Sequence, residues 1–240
     1  MKKIIIIFFL FTLNLFAYIN IHPIYFDKPI DGVGSNQEFT LYNKTQKPIR
    51  YTISLSDTNI KNSMKDWIEY YPKTITIKPG RKEKIKLFIK APSSTLKGEY
   101  LATLEIKESI VPNLEKKNDS NAIQILTHLK MDIAGYVGDI QPKLEFKKLN
   151  LNFEGSKIKV AGKVKNNGER RAKVLLVLTN GNKKDEYVLG KIRVLKGEEI
   201  DLSVLSHEVL EKSDIKKIQK YKNLIIREQD TNQEISKLSI

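Results

Sequence analysis

Asn121–Val137 reads NAIQILTHLKMDIAGYV, and how this stretch is satisfied decides the fold. It follows a polar run from Glu108 to Asn121 and has the alternation of one long strand. Ile123, Ile125, Thr127 and Leu129 fall on one face; Ala122, Gln124, Leu126, His128 and Lys130 fall on the other. Its 17 residues span about 55 Å when extended, whereas an ordinary strand has about 5–6 residues. A strand of that length overhangs a small sandwich, so its surplus must be covered by another chain or domain.

The same period-two rhythm runs through the chain. It appears in EFTLYN (Glu38–Asn43), IRYTISL (Ile49–Leu55), TITIKP (Thr74–Pro79), KIKLFIKAP (Lys84–Pro92) and GEYLATLEIK (Gly98–Lys107). Turn formers separate these runs: Asp31-Gly32, Asn43 to Pro48, Pro79-Gly80 and Pro92-Ser93-Ser94. The pattern resumes in KIKVAGKVKNNG (Lys157–Gly168), AKVLLVLTNGN (Ala172–Asn182), KIRVLKGEEIDLSVL (Lys191–Leu205) and KNLIIREQDTNQEISKLSI (Lys222–Ile240). The third of these predicts two strands about Lys196-Gly197, and the last predicts a hairpin about Asp230 to Asn232. Only SHEVLEKSDIKKIQKY (Ser206–Tyr221) has a helical pattern. Short strands at such spacing predict an all-β chain of two Ig-like β-sandwich domains in tandem. GDIQP, from Gly138, divides them: a first domain over residues 18–138 and a second over 142–240.

The N-terminus, MKKIIIIFFLFTLNLFA, has the lysines, short apolar core and terminal Ala17 of a cleaved signal peptide over residues 1–17. Export is the expectation, and the absence of cysteine means the core must stand without disulfides. The net charge of +14 raises nucleic acid, anionic lipid or an acidic partner. The lysines are spread along nearly every segment with acids interleaved, so the charge reads as a solvated surface and predicts no nucleic-acid partner.

Enzyme chemistry finds no pattern to rest on. His22, His128 and His207 lack metal-ligand spacing, and there is no cysteine nucleophile, G-x-S-x-G elbow or phosphate loop. The prediction is a non-enzyme without cofactor, metal or small-molecule substrate. Trp67 reads as a packing residue, and Tyr70-Tyr71 as one inward and one outward ring.

Three stretches together resemble the N-terminal domain of the periplasmic chaperones of the chaperone–usher pilus pathway. They are NIHPIYFDKPIDGVGSNQEFTLYNKTQKPIRYTI (from Asn20), MKDWIEYYPKTITIKPGRKEKIKLFI (from Met64) and GEYLATLEIKE (from Gly98), before the polar run and the long strand. The likeness covers about residues 19–137; the second domain is similar only as another sandwich. The resemblance implies a periplasmic protein that binds incomplete, pilin-type fibre subunits by β-strand donation. It further implies an outer-membrane usher as partner, and a free state that is self-capped or dimeric. The client-binding residues would be Ile123, Ile125, Thr127 and Leu129, with Lys130 holding a client carboxylate. The family pairs that lysine with a first-strand arginine, and YINIHPIYFD (Tyr18–Asp27) has neither arginine nor lysine. The competing reading of Lys130 is a solvated edge lysine. A second class of function stays open: a non-catalytic structural or adhesive cell-envelope protein built of Ig-like modules.

Overall fold

The computed structural model describes residues 19–58, 60–110, 126–181, 185–209, 212–229 and 232–239. The expected signal peptide, Ile123 and Ile125 lie outside the described residues. The fold is all-β, in two compact units, Met1–Gly138 and Asp139–Ile240. Each is an Ig-like sandwich with its own apolar core.

In the first unit, one sheet has the order β1 (Ile19–His22), β3 (Ser35–Asn43), β7 (Lys82–Ile89), β5 (Ile68–Tyr71). The facing sheet has the order β2 (Phe26–Pro29), β9 (His128–Val137), β8 (Gly98–Ser109), β4 (Ile49–Ser56), β6 (Thr74–Ile77). Alternation decides which face is buried. Phe39 and Leu41 of β3, Ile85, Leu87 and Ile89 of β7, Tyr51 and Ile53 of β4, and Leu104 and Ile106 of β8 fill the space between the sheets. Trp67 packs beside them, its ring 4.8 Å from that of Tyr100. Tyr70 turns inward and donates its hydroxyl to Ile53 O, while Tyr71 points outward. The chain changes sheet between β1, which pairs with β3, and β2, which pairs in parallel with β9.

The second unit is built the same way. One sheet has β10 (Leu144–Glu154), β11 (Lys157–Asn166) and β14 (Glu199–Asp201) in order, with β15 (His207–Glu208) also on β11. The other has β13 (Glu186–Val194), β12 (Ala172–Thr179), β16 (Asn223–Glu228) and β17 (Glu234–Ser239). The helical pattern over Ser206–Tyr221 resolves into the β15 bridge and one short helix, α1 (Lys212–Ile218). After the second strand about Gly197, the chain leaves the sheet early. Leu202–Leu205 form a 3-10 turn, capped by Asp201 accepting Ser203 N at 2.9 Å, which turns Leu202 and Leu205 into the core.

One local arrangement occurs in both units. Asn43, at the end of β3, is fully buried. Its Nδ2 donates to Lys47 O (2.8 Å) and Ile77 O (2.9 Å), and its Oδ1 accepts from Thr45 N (2.8 Å) and Thr45 Oγ1 (2.7 Å). Its main chain accepts from Gly80 N and donates to Arg81 O. In the second unit Asn166, at the end of β11, is buried likewise. Its Nδ2 donates to Arg170 O (2.8 Å) and Val194 O (3.2 Å), and its Oδ1 accepts from Gly168 N (3.0 Å) and Lys143 N (3.2 Å). Its main chain accepts from Gly197 N and donates to Glu198 O. The turns so gripped are the same: Arg81 N donates to Lys78 O, and Glu198 N to Leu195 O. Gly80 (φ 66°) and Gly197 (φ 78°) occupy the left-handed third position that such turns require.

Removing the amide strands several buried backbone groups at once, each costing about 1–3 kcal/mol. Asn43→Ala and Asn166→Ala are each expected to lower the stability of their own unit by about 3 kcal/mol, read by urea unfolding. A loss below about 1 kcal/mol in either variant would show that the turns hold without the clamp.

Candidate functional site: an open strand edge

Of the expected strand over Asn121–Val137, the described part forms β9 over the 10 residues His128–Val137; Leu126 and Thr127 lie just outside it, and 121–125 lie outside the described residues. The odd-numbered residues of β9 face the core: Met131 and Ile133 are buried, and Leu129 is half-buried against the same cluster. Its even-numbered residues His128, Lys130 and Asp132 are exposed, whereas Ala134 and Tyr136 are buried. Thr127 and Leu129 therefore share the core-facing side, with Thr127 half-buried and Lys130 on the opposite, exposed side.

The two edges of β9 are not alike. Along one edge, β8 pairs with it without a break from Gly98↔Val137 to Lys107↔His128. Pairing continues one residue further, since Glu108 N donates to Thr127 O at 2.8 Å. Along the other edge, β2 pairs with it only from Phe26↔Ile133 to Pro29↔Tyr136. From His128 to Met131, no described strand lies on that side.

Which backbone groups this leaves open follows from the ladder. In an antiparallel pair, consecutive residues turn their N–H and C=O to opposite edges. Thr127 bonds toward β8, so odd residues face β8; Tyr136 O accepts from Ile30 N on the β2 side, so even residues face away. The N–H and C=O of His128 and Lys130 are accordingly presented along the edge where β2 has not yet begun. The stretch His128–Met131 is about 13 Å long at about 3.4 Å per residue.

The exposed side chains beside this edge form a charge cluster that sequence reasoning did not single out. Glu105, opposite Lys130 on β8, accepts from Ser56 Oγ at 2.6 Å and lies 2.9 Å from His128 Nε2. Lys130 Nζ stands 3.5 Å from the same carboxylate. The Ser56 hydrogen bond, then the one from His128, with the nearby Lys130 charge adding to them, hold the Glu105 carboxyl below its ordinary range. Lys130 thus has an internal carboxylate partner while its side chain stays 61% exposed. The signal for this cluster is present in the sequence only as residues scattered over three strands, and the register brings them together. Among the described residues, no group of three or more His, Asp or Glu converges in a way that holds a metal.

Comparisons with known proteins give three findings. Residues 31–123 match the family model described as "IG-like fold at C-terminal of FixG, putative oxidoreductase". No curated protein matches the sequence. Solved structures similar to the chain include one chain of the Salmonella enterica SafA pilin in complex with the SafB chaperone, at 12% identity and TM-score 0.48, covering 94% of this chain and 96% of that one. The periplasmic chaperone SfaE is similar at 10% identity and TM-score 0.48, covering 92% and 98%. The class 5 fimbriae chaperone CfaA is similar at 12% identity and TM-score 0.46, covering 92% and 97%.

Because its folded-state pKa is lowered, Glu105 contributes stability that is present above the ordinary glutamate range. That contribution is lost as pH falls through the lowered value. NMR titration of the Glu105 carboxyl is expected to give a midpoint below that of a free glutamate, and Ser56→Ala should bring it back up. An unchanged midpoint in Ser56→Ala would assign the shift to His128 and Lys130 instead.

Proposed function

We propose that this chain is a periplasmic assembly chaperone that holds an exported, pilin-type subunit by adding β9 to the subunit's incomplete sheet. The observation that carries the proposal is the half-paired edge of β9. His128 and Lys130 offer backbone donors and acceptors along it, beside core-facing Leu129 and Met131. Strand addition uses main-chain hydrogen bonds for affinity and alternate side chains for selectivity. An added strand would satisfy the open groups of His128 and Lys130. Its own side chains would continue the apolar layer that ends at Leu129.

Ile123, Ile125 and Thr127 precede Leu129 at the same period and extend that side of the strand in sequence. They are the knobs assigned to the client's groove, and Lys130 the cation assigned to its terminal carboxylate. For that last role Lys130 has to exchange its Glu105 partner for the client's carboxylate. An outer-membrane usher completes the proposed pathway. Binding needs no nucleotide or metal, and its driving force is backbone pairing plus apolar burial, about 25 cal/mol per Å2 before ordering costs.

Proline offers a test that separates the two edges. The Lys130 N–H points away from β8, so Lys130→Pro removes a donor from the open edge and leaves the β8 ladder intact. Co-expressed with an exported fibre subunit that lacks its final strand, the wild-type chain is expected to co-purify with it. Lys130→Pro should lose the subunit, as should Ile125→Asp, with the thermal midpoint of the free protein little changed. Retention of the subunit by both variants would exclude donation through this edge.

A further inference from the structure

Lysines that look evenly spread along the sequence are gathered by the Asn43 clamp. The turn after β3 carries Lys44 and Lys47; the turn before β7 carries Lys78 and Arg81, with Lys82 opening that strand. Main-chain bonds from Gly80 N to Asn43 O and from Asn43 N to Arg81 O fix the two turns side by side. All five cations are exposed. Among the described residues, none of the five forms an ion pair, whereas the next two lysines along β7, Lys84 and Lys86, share Glu38. The segment 111–125 contains two lysines and two acids and adds no net charge.

The second unit supplies an internal control. Superposing one clamp on the other by its bonds places Lys44, Lys47, Lys78, Arg81 and Lys82 opposite Asn167, Arg170, Leu195, Glu198 and Glu199. Of those five positions only Arg170 is a cation, and it is paired with Glu228 at 2.7 Å; Lys196, opposite Pro79, is the one further cation in the matching turn. The same scaffold is therefore built with two glutamates where the first unit has Arg81 and Lys82. Nothing in the clamp requires positive charge, so the uncompensated cluster is a feature of the first unit alone.

We infer that these two turns form a docking surface for an anionic lipid bilayer, with Lys44, Lys47, Lys78, Arg81 and Lys82 meeting the headgroups. The cations stand on the tips of two adjacent turns, a shape suited to a planar array of mobile phosphates. The aromatic residue among them, Tyr42, is engaged by its neighbours: Lys44 Nζ lies 5.7 Å and Lys82 Nζ 5.4 Å from the ring centroid. Stacking readers of single-stranded nucleic acid use an open aromatic face, whereas flexible cations on projecting tips meet mobile headgroups without one. Each basic residue near an anionic surface contributes about fivefold in binding, and salt screens the attraction.

The test is co-sedimentation of the purified chain with vesicles of phosphatidylcholine alone, or with about one-third phosphatidylglycerol. Binding is expected only to the anionic vesicles, weakening as salt rises. Lys44→Gln with Lys82→Gln should reduce it about 25-fold, and replacing all five cations by glutamine should abolish it. A control with five lysines of the second unit replaced (Lys159, Lys191, Lys196, Lys220 and Lys237) should keep most of the binding. Circular dichroism checks that each variant is folded. Equal binding to neutral vesicles, or an equal loss in the control, would overturn the proposal. So would vesicle binding that survives the five-residue change, whether or not binding to polyglutamate is lost in that variant. Loss of polyglutamate binding alone would reassign the surface to an acidic protein.

Discussion

The buried asparagine at the end of β3, and its counterpart at the end of β11, is the constraint on which each sandwich depends. A sandwich needs its connecting turns closed over the end of the core, yet turn backbone carries polar groups that cannot simply be buried. One amide with two donors and an acceptor meets several of those groups at once and ties two turns separated widely in sequence. Asparagine suits the position because its short side chain reaches main-chain groups in both directions. With the turns fixed, β3 and β7 keep the register that buries Phe39, Leu41, Ile85 and Leu87 together. The arrangement of the opposite sheet, including β9, rests on that packed layer.

The half-open edge follows from a sheet change at the start of the chain. β1 belongs to one sheet and β2 to the other, so β2 reaches β9 only from Ile133 onward. An unpaired edge is a hazard because it invites association with any free strand. Here its exposed side chains are polar, His128 and the Lys130 cation gathered on Glu105. Such polar side chains discourage indiscriminate pairing while leaving the backbone available. Any strand that displaced them would have to supply its own compensation, so the edge is accessible without being indiscriminate.

Much of the fold was legible because alternation survives wherever one face is buried. GEYLATLEIK and KIKLFIKAP show their inward residues directly, and both form strands. β10 was not singled out, and the reason is physical. Leu144 and Phe146 lie in one phase, Leu149, Leu151 and Phe153 in the other, because the register slips between Lys147 and Asn150. Lys148 adopts φ 50° at the slip, and Gly162 stands opposite with φ 117°. A bulge of this kind hides a strand from a period-two search. At the site, alternation grouped Thr127 with Leu129, but it did not say which side of the strand faces the core; the register does. The Ser56–Glu105–His128–Lys130 cluster was not, since only the register of three strands makes those residues neighbours. The gathering of basic residues by the Asn43 clamp was hidden for the same reason.

The clamp also bears on how the protein reaches its native state. It joins Asn43 to Ile77 and Gly80, and Asn166 to Val194 and Gly197, groups that meet only once distant strands have been brought together. Such topology slows the search for the folded state relative to chains rich in local contacts. Until the turns lock, the nascent sheets present several raw margins, and β9 keeps part of one after folding ends. A chain that closes slowly is exposed through those margins to any free strand it meets, and its rate of closure becomes as consequential as its final stability.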